Sequence, residues 1–379
     1  MERVLNIVSK MNADGAETFL IRLMRNINKD KFMFDFLVFS PDKGFYDDEI
    51  LSWGGRIHYA EMKSKNPIKS FYDIYQIVRK NEYRVVLRVS GHSLAALDLL
   101  AAAIGGARLR MLRSSNSSVS GGISSRIIHM LFRPVLNLIV TQRLAPSDMA
   151  ATWMFGKKHI SNGSVKIINN GLEIDRFVFD VCKRQELREK MGLTDKFVVG
   201  HVGRISDQKN HKFLLDAFEA IKKENEAAVL LLVGRVAQPE IEISLKKRIE
   251  NLGLNDSVIF TGVRSDIPDL LMAMDVFLFP SLYEGMPNAV IEAQATGLHC
   301  IISDTITKEV GFTDLVEYLP LNNPDEWAER ALQYQNGYVH RNMRQEFIEN
   351  GYDIESTIEW LEDYLTSHCD RLEMISSNK

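Results

Sequence analysis

A unit that occurs twice constrains the fold of this chain more than any other feature. It consists of a short β-rich run, a turn containing glycine, and an amphipathic helix. The first copy spans residues 3–27, with Gly15 in its turn, and the second spans residues 197–223, with its turn at 203–209. Each copy has the pattern that opens a βαβ unit, in which the helix carries the chain across to a parallel strand.

Further apolar runs of strand length follow each copy, separated by segments of helix length. The predicted strands among them are 34–39, 85–89, 139–141 and 166–168 in the first half, and 229–233, 258–261, 276–280 and 300–303 in the second. Such alternation favours parallel sheets covered by helices, so the predicted fold class is α/β. The length of 379 residues suits two successive doubly wound domains, and the pattern breaks at 169–177, where we place the join.

Composition restricts the partners and the cellular location that can be expected for the chain. A net charge of −4 argues against nucleic acid as a partner of the whole molecule. Three cysteines (Cys182, Cys300 and Cys369) lie far apart without metal-ligand spacing, which favours a reducing, cytoplasmic location over a disulfide framework or a zinc site. The longest apolar segment, 127–140, contains a histidine, an arginine and a proline. It falls short of the roughly 18 apolar residues that a membrane span needs.

The segment 279–293 is the strongest indicator of function. An apolar strand ends at Pro280, a polar turn carrying Glu284 follows, and a helix opens near Pro287 with Glu292 one to two turns inside it. A helix N-terminus favours bound phosphate, and two carboxylates beside it can accept hydrogen bonds from sugar and ribose hydroxyls. The alternative interpretation is an ordinary helix start with acidic residues that favour its dipole.

The turn 203–209 carries a second candidate site, because it also leaves a strand and enters a helix. Gly203 permits close approach of the backbone to a ligand. Arg204 and Lys209 place two cations five positions apart, so that both can flank one diphosphate. The alternative interpretation is an exposed arginine and lysine on a turn.

Together these motifs resemble the retaining glycosyltransferases of family four along nearly the whole chain. The residues that carry the resemblance are Asp14-Gly-Ala-Glu17, Asn170-Gly171 with Asp175 and Phe177, Gly203-Arg204 with Lys209, and the E-x(7)-E pair Glu284 and Glu292. The resemblance implies the GT-B fold, two facing Rossmann-like domains with a cleft between them. The domains would be 1–172, on the acceptor side, and 173–353, which binds the nucleotide sugar, with a last helix at about 354–379 returning to the first domain.

The resemblance also implies roles for the matching positions. Arg204 and Lys209 would neutralise the donor diphosphate, Glu292 would hold the ribose, and Glu284 would contact the transferred sugar, so that Glu284, Arg204 and Lys209 are the catalytic candidates. No metal and no cofactor are implied. The full donor-binding set would be Gly15, Gly203, Arg204, Lys209, Glu284, Gly285, Met286, Pro287, Asn288 and Glu292.

One departure from the family lies on the acceptor side. Many relatives have a histidine near the transferred sugar in a His-Ser-His-Asn string. Here the matching stretch is Arg113-Ser-Ser-Asn116, so that Ser115 occupies the histidine position. His92 is the nearest alternative, and otherwise it is an ordinary loop histidine. The leaving phosphate can take the proton of the acceptor, so loss of the histidine need not abolish activity.

Charge is concentrated on the acceptor side. The segment 79–143 has ten lysines and arginines against two acidic residues, a balance of +8. Within it, the amphipathic stretch 120–134 is a candidate for contact with an anionic membrane that carries a lipid-diphosphate acceptor. The alternatives are a scattered basic face and a helix packed on the first sheet. The expected location is cytoplasmic, at the inner face of the membrane.

The predicted function is retaining transfer of a hexose or N-acetylhexosamine in surface polysaccharide biosynthesis. The donor would be a nucleotide sugar, most simply a UDP-sugar, and the acceptor a glycan or a lipid-linked saccharide. A sugar-nucleotide epimerase on a similar scaffold is one alternative, although epimerases need paired acid and base groups. A catalytically silent subunit that binds nucleotide sugars is the other.

Overall fold

The computed structural model describes residues 1–12, 15–115 and 122–377. The chain divides into two compact units. The first combines Met1–Leu172 with Gly351–Lys379, and the second is Glu173–Asn350. Each unit has its own parallel sheet and its own buried core.

Seven described strands form the sheet of the first unit. They are β1 (Glu2–Ile7), β2 (Phe32–Val38), β3 (Ile57–Tyr59), β4 (Val85–Ser90), β5 (Leu109–Ser114), β6 (Gln142–Ala145) and β7 (Val165–Ile167). Every neighbouring pair is parallel, and the order across the sheet is β3-β2-β1-β4-β5-β6-β7. The predicted strand near 166–168 is therefore confirmed as the last of this sheet.

Helices cover both faces of this sheet. The described helices of the segment 1–172 are α1 (Gly15–Asn26), α2 (Asp47–Ser52), α3 (Pro67–Lys80), α4 (Ala95–Gly105), α5 (Ile123–Ile139), α6 (Asp148–Phe155) and α7 (Lys157–Ser161). Successive strand residues point to opposite faces, so that Val85 and Leu87 join the core under α1 while Val86 joins the core under α3 and α4. A sheet buried on both faces explains the nearly continuous apolar runs in the sequence.

The second unit repeats this design. Its described strands are β8 (Phe197–Val202), β9 (Ala228–Val233), β10 (Val258–Gly262), β11 (Val276–Phe279), β12 (Cys300–Ser303) and β13 (Val316–Leu319). Its described α-helices are α8 (Val181–Lys190), α9 (His211–Glu224), α10 (Pro239–Asn251), α11 (Ile267–Ala273), α12 (Asn288–Ala295), α13 (Pro324–Leu332) and α14 (Arg344–Glu349). The strands are parallel, in the order β10-β9-β8-β11-β12-β13. The predicted α/β class with two parallel-sheet domains is confirmed.

The last helix, α15 (Ile354–Ser377), packs within the first unit. The chain returns there through Leu172, whose N–H donates to the carbonyl of Tyr352 and whose carbonyl accepts from the N–H of Ile354, at 2.7 and 3.0 Å. Apolar residues four and three positions apart place one face of α15 in the core beside α1. These residues are Ile354, Ile358, Leu361 and Leu365.

Some strand predictions were wrong or missing. The run 139–141 is not a strand, because Ile139 ends α5 and the next strand begins at Gln142. Ile139 ends the helix, and Val140 and Thr141 follow it; these three β-branched residues in a row imitate the start of a strand. Sequence reasoning missed three described strands. They are β3, β5 and β13, which are short or interrupted by charged residues.

None of the helices in the described ranges combines the length and the apolar character that crossing a bilayer requires.

Candidate active site

The strand order of the second sheet reverses at one place. The chain runs outward from β8 through β9 to β10, then returns to place β11 on the other side of β8. In open parallel sheets, ligands bind outside the carboxyl ends of the strands at such a reversal. The loops that leave β8 and β11 are 203–210 and 280–287, which are the two motifs singled out in the sequence. The topology therefore brings both motifs to one crevice.

An ion pair joins the two loops. Lys209 Nζ lies 2.7 Å from Glu284 Oε1, and the two side chains are only 15% and 12% exposed. The ammonium also lies 4.3 Å from the ring centre of Phe279, the last residue of β11. Burial lowers the pKa of Lys209; the attraction of Glu284 opposes this effect, and repulsion from Arg204 adds to it. Glu284 thus favours the charged form of a lysine whose desolvation disfavours it.

Gln208 holds Glu284 from a second direction. Its Nε2 donates to Glu284 Oε1 at 3.1 Å and to the carbonyl of Tyr283 at 2.9 Å. Its own backbone carbonyl accepts from the N–H of Leu282 at 2.8 Å. Both side-chain contacts to Glu284 fall on Oε1, so within the described ranges Oε2 has no hydrogen-bond partner. The carboxylate is therefore held in place with one oxygen left to accept from a ligand hydroxyl.

Arg204 is the second cation of the crevice. It is exposed, and it forms no ion pair with any residue that the structure describes. Its charge nevertheless acts on the pKa of Lys209, so the two cations lie near each other. An unpaired guanidinium beside a largely buried ammonium creates a local excess of positive charge, which suits a ligand with two negative charges.

Two glycines allow the loops after β8 and β9 to approach each other. A Cβ on Gly234 would lie 2.1 Å from the carbonyl oxygen of Gly203, and the φ of Gly234 is +142°. A Cβ on Gly203 would lie 3.2 Å from Cε of Lys209 and 3.4 Å from Nε2 of His201. Only glycine at these positions leaves the backbone and Lys209 where they are.

The helix after the Glu284 loop begins at the crevice. Pro287 is the N-cap of α12, with φ −77° and ψ 104°, so the first helical residue is Asn288 rather than the proline. As a proline, the N-cap residue makes no side-chain hydrogen bond to this helix end. The positive end of the helix dipole therefore lies at this end of α12, where a bound anion is favoured.

The other predicted donor residues of this loop are not equally exposed. Glu292 lies in α12, is 8% exposed and has a contact within the protein. Glu292 is therefore not without a partner in this structure. Gly285, Met286 and Asn288 are half-buried at the start of the helix.

Two histidines are buried next to this crevice. The rings of His201 and His211 meet edge to face at 4.8 Å, and Nδ1 of His201 lies 2.9 Å from the carbonyl of Leu278. Burial lowers the pKa of His201 well below its usual value and lowers that of His211 to about 4. Both rings are therefore neutral at neutral pH, which avoids adding charge beside Lys209.

The first sheet also reverses its strand order, between β1 and β4. Gly15 follows β1, begins α1 and is exposed, whereas His92 follows β4. Nδ1 of His92 accepts from the N–H of Leu94 at 3.0 Å, and Nε2 donates to the carbonyl of Ser125 at 3.1 Å. Both ring nitrogens are thus engaged, so the imidazole is held by the backbone on two sides.

Ser115 follows β5, one strand further from this reversal. It is half-buried, and its N–H donates to the carbonyl of Ser90 at 3.1 Å. Asn116, the other acceptor-side candidate, lies outside the described residues, as does Asp14 of the first loop. His92 thus follows β4 at the reversal of the first sheet, and Ser115 lies beside the end of the same strand, after β5.

Sequence reasoning missed two residues that shape these sites. Gln208 could have been found, because it directly precedes Lys209 in a loop already singled out. Arg113 could not, since its role depends on packing: the buried guanidinium lies 3.8 Å from the ring centre of Phe19 and donates to the carbonyl of Ile168. Burial lowers the pKa of Arg113 to about 9.

Comparison with solved structures shows the fold class. Anabaena HepE, whose crystal structure contains UDP and glucose, aligns with 97% of this chain and 100% of its own, with a TM-score of 0.77 at 19% identity. Together with the two parallel sheets, this likeness identifies the GT-B class of two-domain α/β proteins.

Sequence comparison shows the family. Residues 183–354 match the family "Glycosyl transferases group 1". EpsF of Bacillus subtilis (strain 168), named as a glycosyltransferase, is 33% identical over 365 residues, 94% of each chain. The Escherichia coli UDP-Gal:alpha-D-GlcNAc-diphosphoundecaprenol alpha-1,3-galactosyltransferase is 32% identical over 213 residues, 52% of this chain and 53% of its own. The chain belongs to the group 1 glycosyl transferases, and it is a glycosyltransferase.

The buried histidines predict a loss of stability in acid. Below its usual pKa of 6.5 the unfolded His211 takes up a proton, whereas the folded residue does so only near pH 4. The free energy of unfolding should therefore fall by roughly 2 kcal/mol between pH 7 and pH 5 on account of this residue. Urea unfolding at both pH values should show a smaller difference for His211→Gln than for the wild type.

His368→Gln, on α15 in the first unit, is the matched control and should keep the pH dependence of the wild type. An unchanged pH dependence in His211→Gln would contradict the assignment.

Proposed function

We propose that this protein is a retaining glycosyltransferase of family four that moves a hexose or N-acetylhexosamine from a UDP-sugar. The observation that carries the proposal is the Lys209–Glu284 pair in the crevice of the second sheet, with Arg204 unpaired beside it. The proposed acceptor is a glycan or a lipid-linked saccharide in surface polysaccharide biosynthesis. The names of the E. coli galactosyltransferase and of the HepE complex support the UDP-sugar and the lipid-linked acceptor.

In this proposal the donor diphosphate lies against the two cations and the start of α12. Arg204 offers a planar fork of donors, and Lys209 offers the N–H groups not used by Glu284. Glu284 accepts a hydrogen bond from a hydroxyl of the transferred sugar through Oε2. Glu292 accepts a hydrogen bond from the ribose.

The proposed transfer step places negative charge on the departing diphosphate. The bond between the anomeric carbon and the diphosphate oxygen breaks, and a bond to the acceptor oxygen forms on the same face of the sugar. Arg204 and Lys209 stabilise the negative charge that gathers on the departing diphosphate. That diphosphate takes the proton of the acceptor, because Ser115 is not a base and both ring nitrogens of His92 are engaged.

The proposed location of the protein is the cytoplasmic face of an anionic membrane. A lipid-linked acceptor is held there, and the basic segment 79–143 is attracted to acidic headgroups.

Removing one cation should weaken donor binding without unfolding the protein. Lys209→Ala leaves Glu284 partly buried without its charge partner and removes a contact to the diphosphate, so the Kd for UDP should rise about ten-fold or more. Arg204→Ala should act in the same direction. Isothermal titration measures both, and Lys212→Ala, which removes an exposed lysine of α9, should bind UDP like the wild type.

The proposed reaction is tested with a set of UDP-sugars and a lipid-diphosphate saccharide. We expect one donor to be consumed, with a product that keeps the anomeric configuration of the donor, as read from proton coupling constants by NMR. Glu284→Gln should retain the fold and lose most of the transfer rate. Inverted configuration would reject the retaining assignment, exchange of carbon-bound hydrogen with solvent would indicate an epimerase, and UDP-sugar binding without turnover would indicate a silent subunit.

We propose that transfer needs no metal, since two cations and a helix start already face the diphosphate. The rate should therefore stay within about two-fold after treatment with EDTA and removal of the chelator. A loss that is restored by Mg²⁺ or Mn²⁺ would reject this part of the proposal.

A further inference from the structure

The helix α5 exposes its apolar face. Among the large apolar residues of the described chain, Ile123, Leu131 and Leu138 are 81%, 68% and 86% exposed. The spacing of the exposed apolar side chains follows the helical repeat, so they form one continuous outward face. The members of this face are Ile123, Ile127, Met130, Leu131, Pro134, Val135 and Leu138.

The opposite face of α5 is firmly attached to the first unit. His129 is fully buried and stacks on Trp153 of α6, with ring centres 4.2 Å apart. Its Nδ1 accepts from the N–H of Ser93 at 3.1 Å, while its carbonyl accepts from Ser93 Oγ at 2.7 Å. These contacts fix which face of the helix points outward.

The same contacts join α5 to the loop 90–94 at the crevice of the first sheet. His92 donates to the carbonyl of Ser125, at the start of α5, and Trp153 Nε1 donates to the carbonyl of Gly91 at 3.3 Å. The exposed apolar face and the acceptor-side loop therefore belong to one connected group of side chains.

The surroundings of the apolar face are basic. Arg126 and Arg133 lie on one flank of α5, seven positions and about two turns apart. The Arg133 guanidinium lies beside Gly156, which precedes Lys157 and Lys158 at the start of α7. No acidic residue occurs in the sequence between Asp98 and Asp148.

We infer that α5 is a membrane-docking helix, which lies in the surface of an anionic phospholipid bilayer with its apolar face among the acyl chains. Arg126, Arg133 and the lysines of α7 then meet the acidic headgroups. Apolar insertion flanked by cations fits a bilayer better than a second copy of the chain. An antiparallel pairing of two copies through this face would bring their basic flanks side by side.

This inference rests on the proposed function, and it assigns the membrane contact to α5 rather than to the whole basic segment 79–143. The helix would bring the loop 90–94 to the bilayer surface, where the headgroup of a lipid-linked acceptor lies. His92 then acts as a positioning residue between the membrane-docking helix and that loop.

The test is sedimentation of the full-length protein with vesicles of phosphatidylcholine alone or mixed with phosphatidylglycerol. The wild type should bind the anionic vesicles, and more weakly at high salt. Leu131→Glu with Leu138→Glu should reduce the bound fraction about ten-fold, because two charges enter the apolar face. Arg126→Gln with Arg133→Gln should weaken binding less and reduce its dependence on salt.

Ile68→Glu is the matched control, since Ile68 is an 82% exposed apolar residue on another helix of the same unit and should bind vesicles like the wild type. UDP binding, measured on every variant, reports on the second unit separately. If the wild-type protein binds UDP but not anionic vesicles, the assignment of α5 as a membrane-docking helix is rejected, while the proposed function is not. The assignment is also rejected if the Leu131→Glu, Leu138→Glu variant binds vesicles as well as the wild type does. It is rejected too if the wild type is a dimer and this variant is a monomer, because the apolar face would then join two copies of the chain.

Discussion

The pairing of Lys209 with Glu284 is the interaction on which the candidate site depends. It joins two loops that are 75 positions apart in sequence and that meet only because β8 and β11 are neighbours in the sheet. Neither charge would be favourable alone at this degree of burial. Gln208 and the ring of Phe279 complete the support, so that the lysine can face an anion and the carboxylate can keep one oxygen for a hydroxyl.

Other residues of the second unit support the loops that carry this pair. Close approach of Gly203 and Gly234 brings the loops after two neighbouring strands together, and the neutral pair His201 and His211 fills the space beside them without adding charge. The first unit uses the same sheet design for a different purpose. There the loop after β4 is hydrogen-bonded to α5, so that the crevice of this sheet is connected to a helix whose outward face is apolar.

Much of the fold could be predicted, because parallel strands buried on both faces leave apolar runs that are easy to recognise. The runs at β8, β11 and β12 were located to within about a residue. The prediction failed where that signal is absent or imitated. The strand β5 carries Arg110 and Arg113, and the β-branched run 139–141 only joins the end of α5 to the next strand. In the candidate site, the motif residues were predicted, whereas the engagement of both His92 nitrogens and the contact of Glu292 were not.

By itself the sequence determined the α/β class, the two-domain organisation, and the loops that carry the cations and carboxylates. These properties depend on local periodicity and on residue types next to strand ends. Only the tertiary structure decided that Lys209 pairs with Glu284, that both ring nitrogens of His92 are engaged, and that α5 turns its apolar side outward. Each of these depends on which distant segments become neighbours, and a helical pattern looks the same whether its apolar face points to a core or away from it.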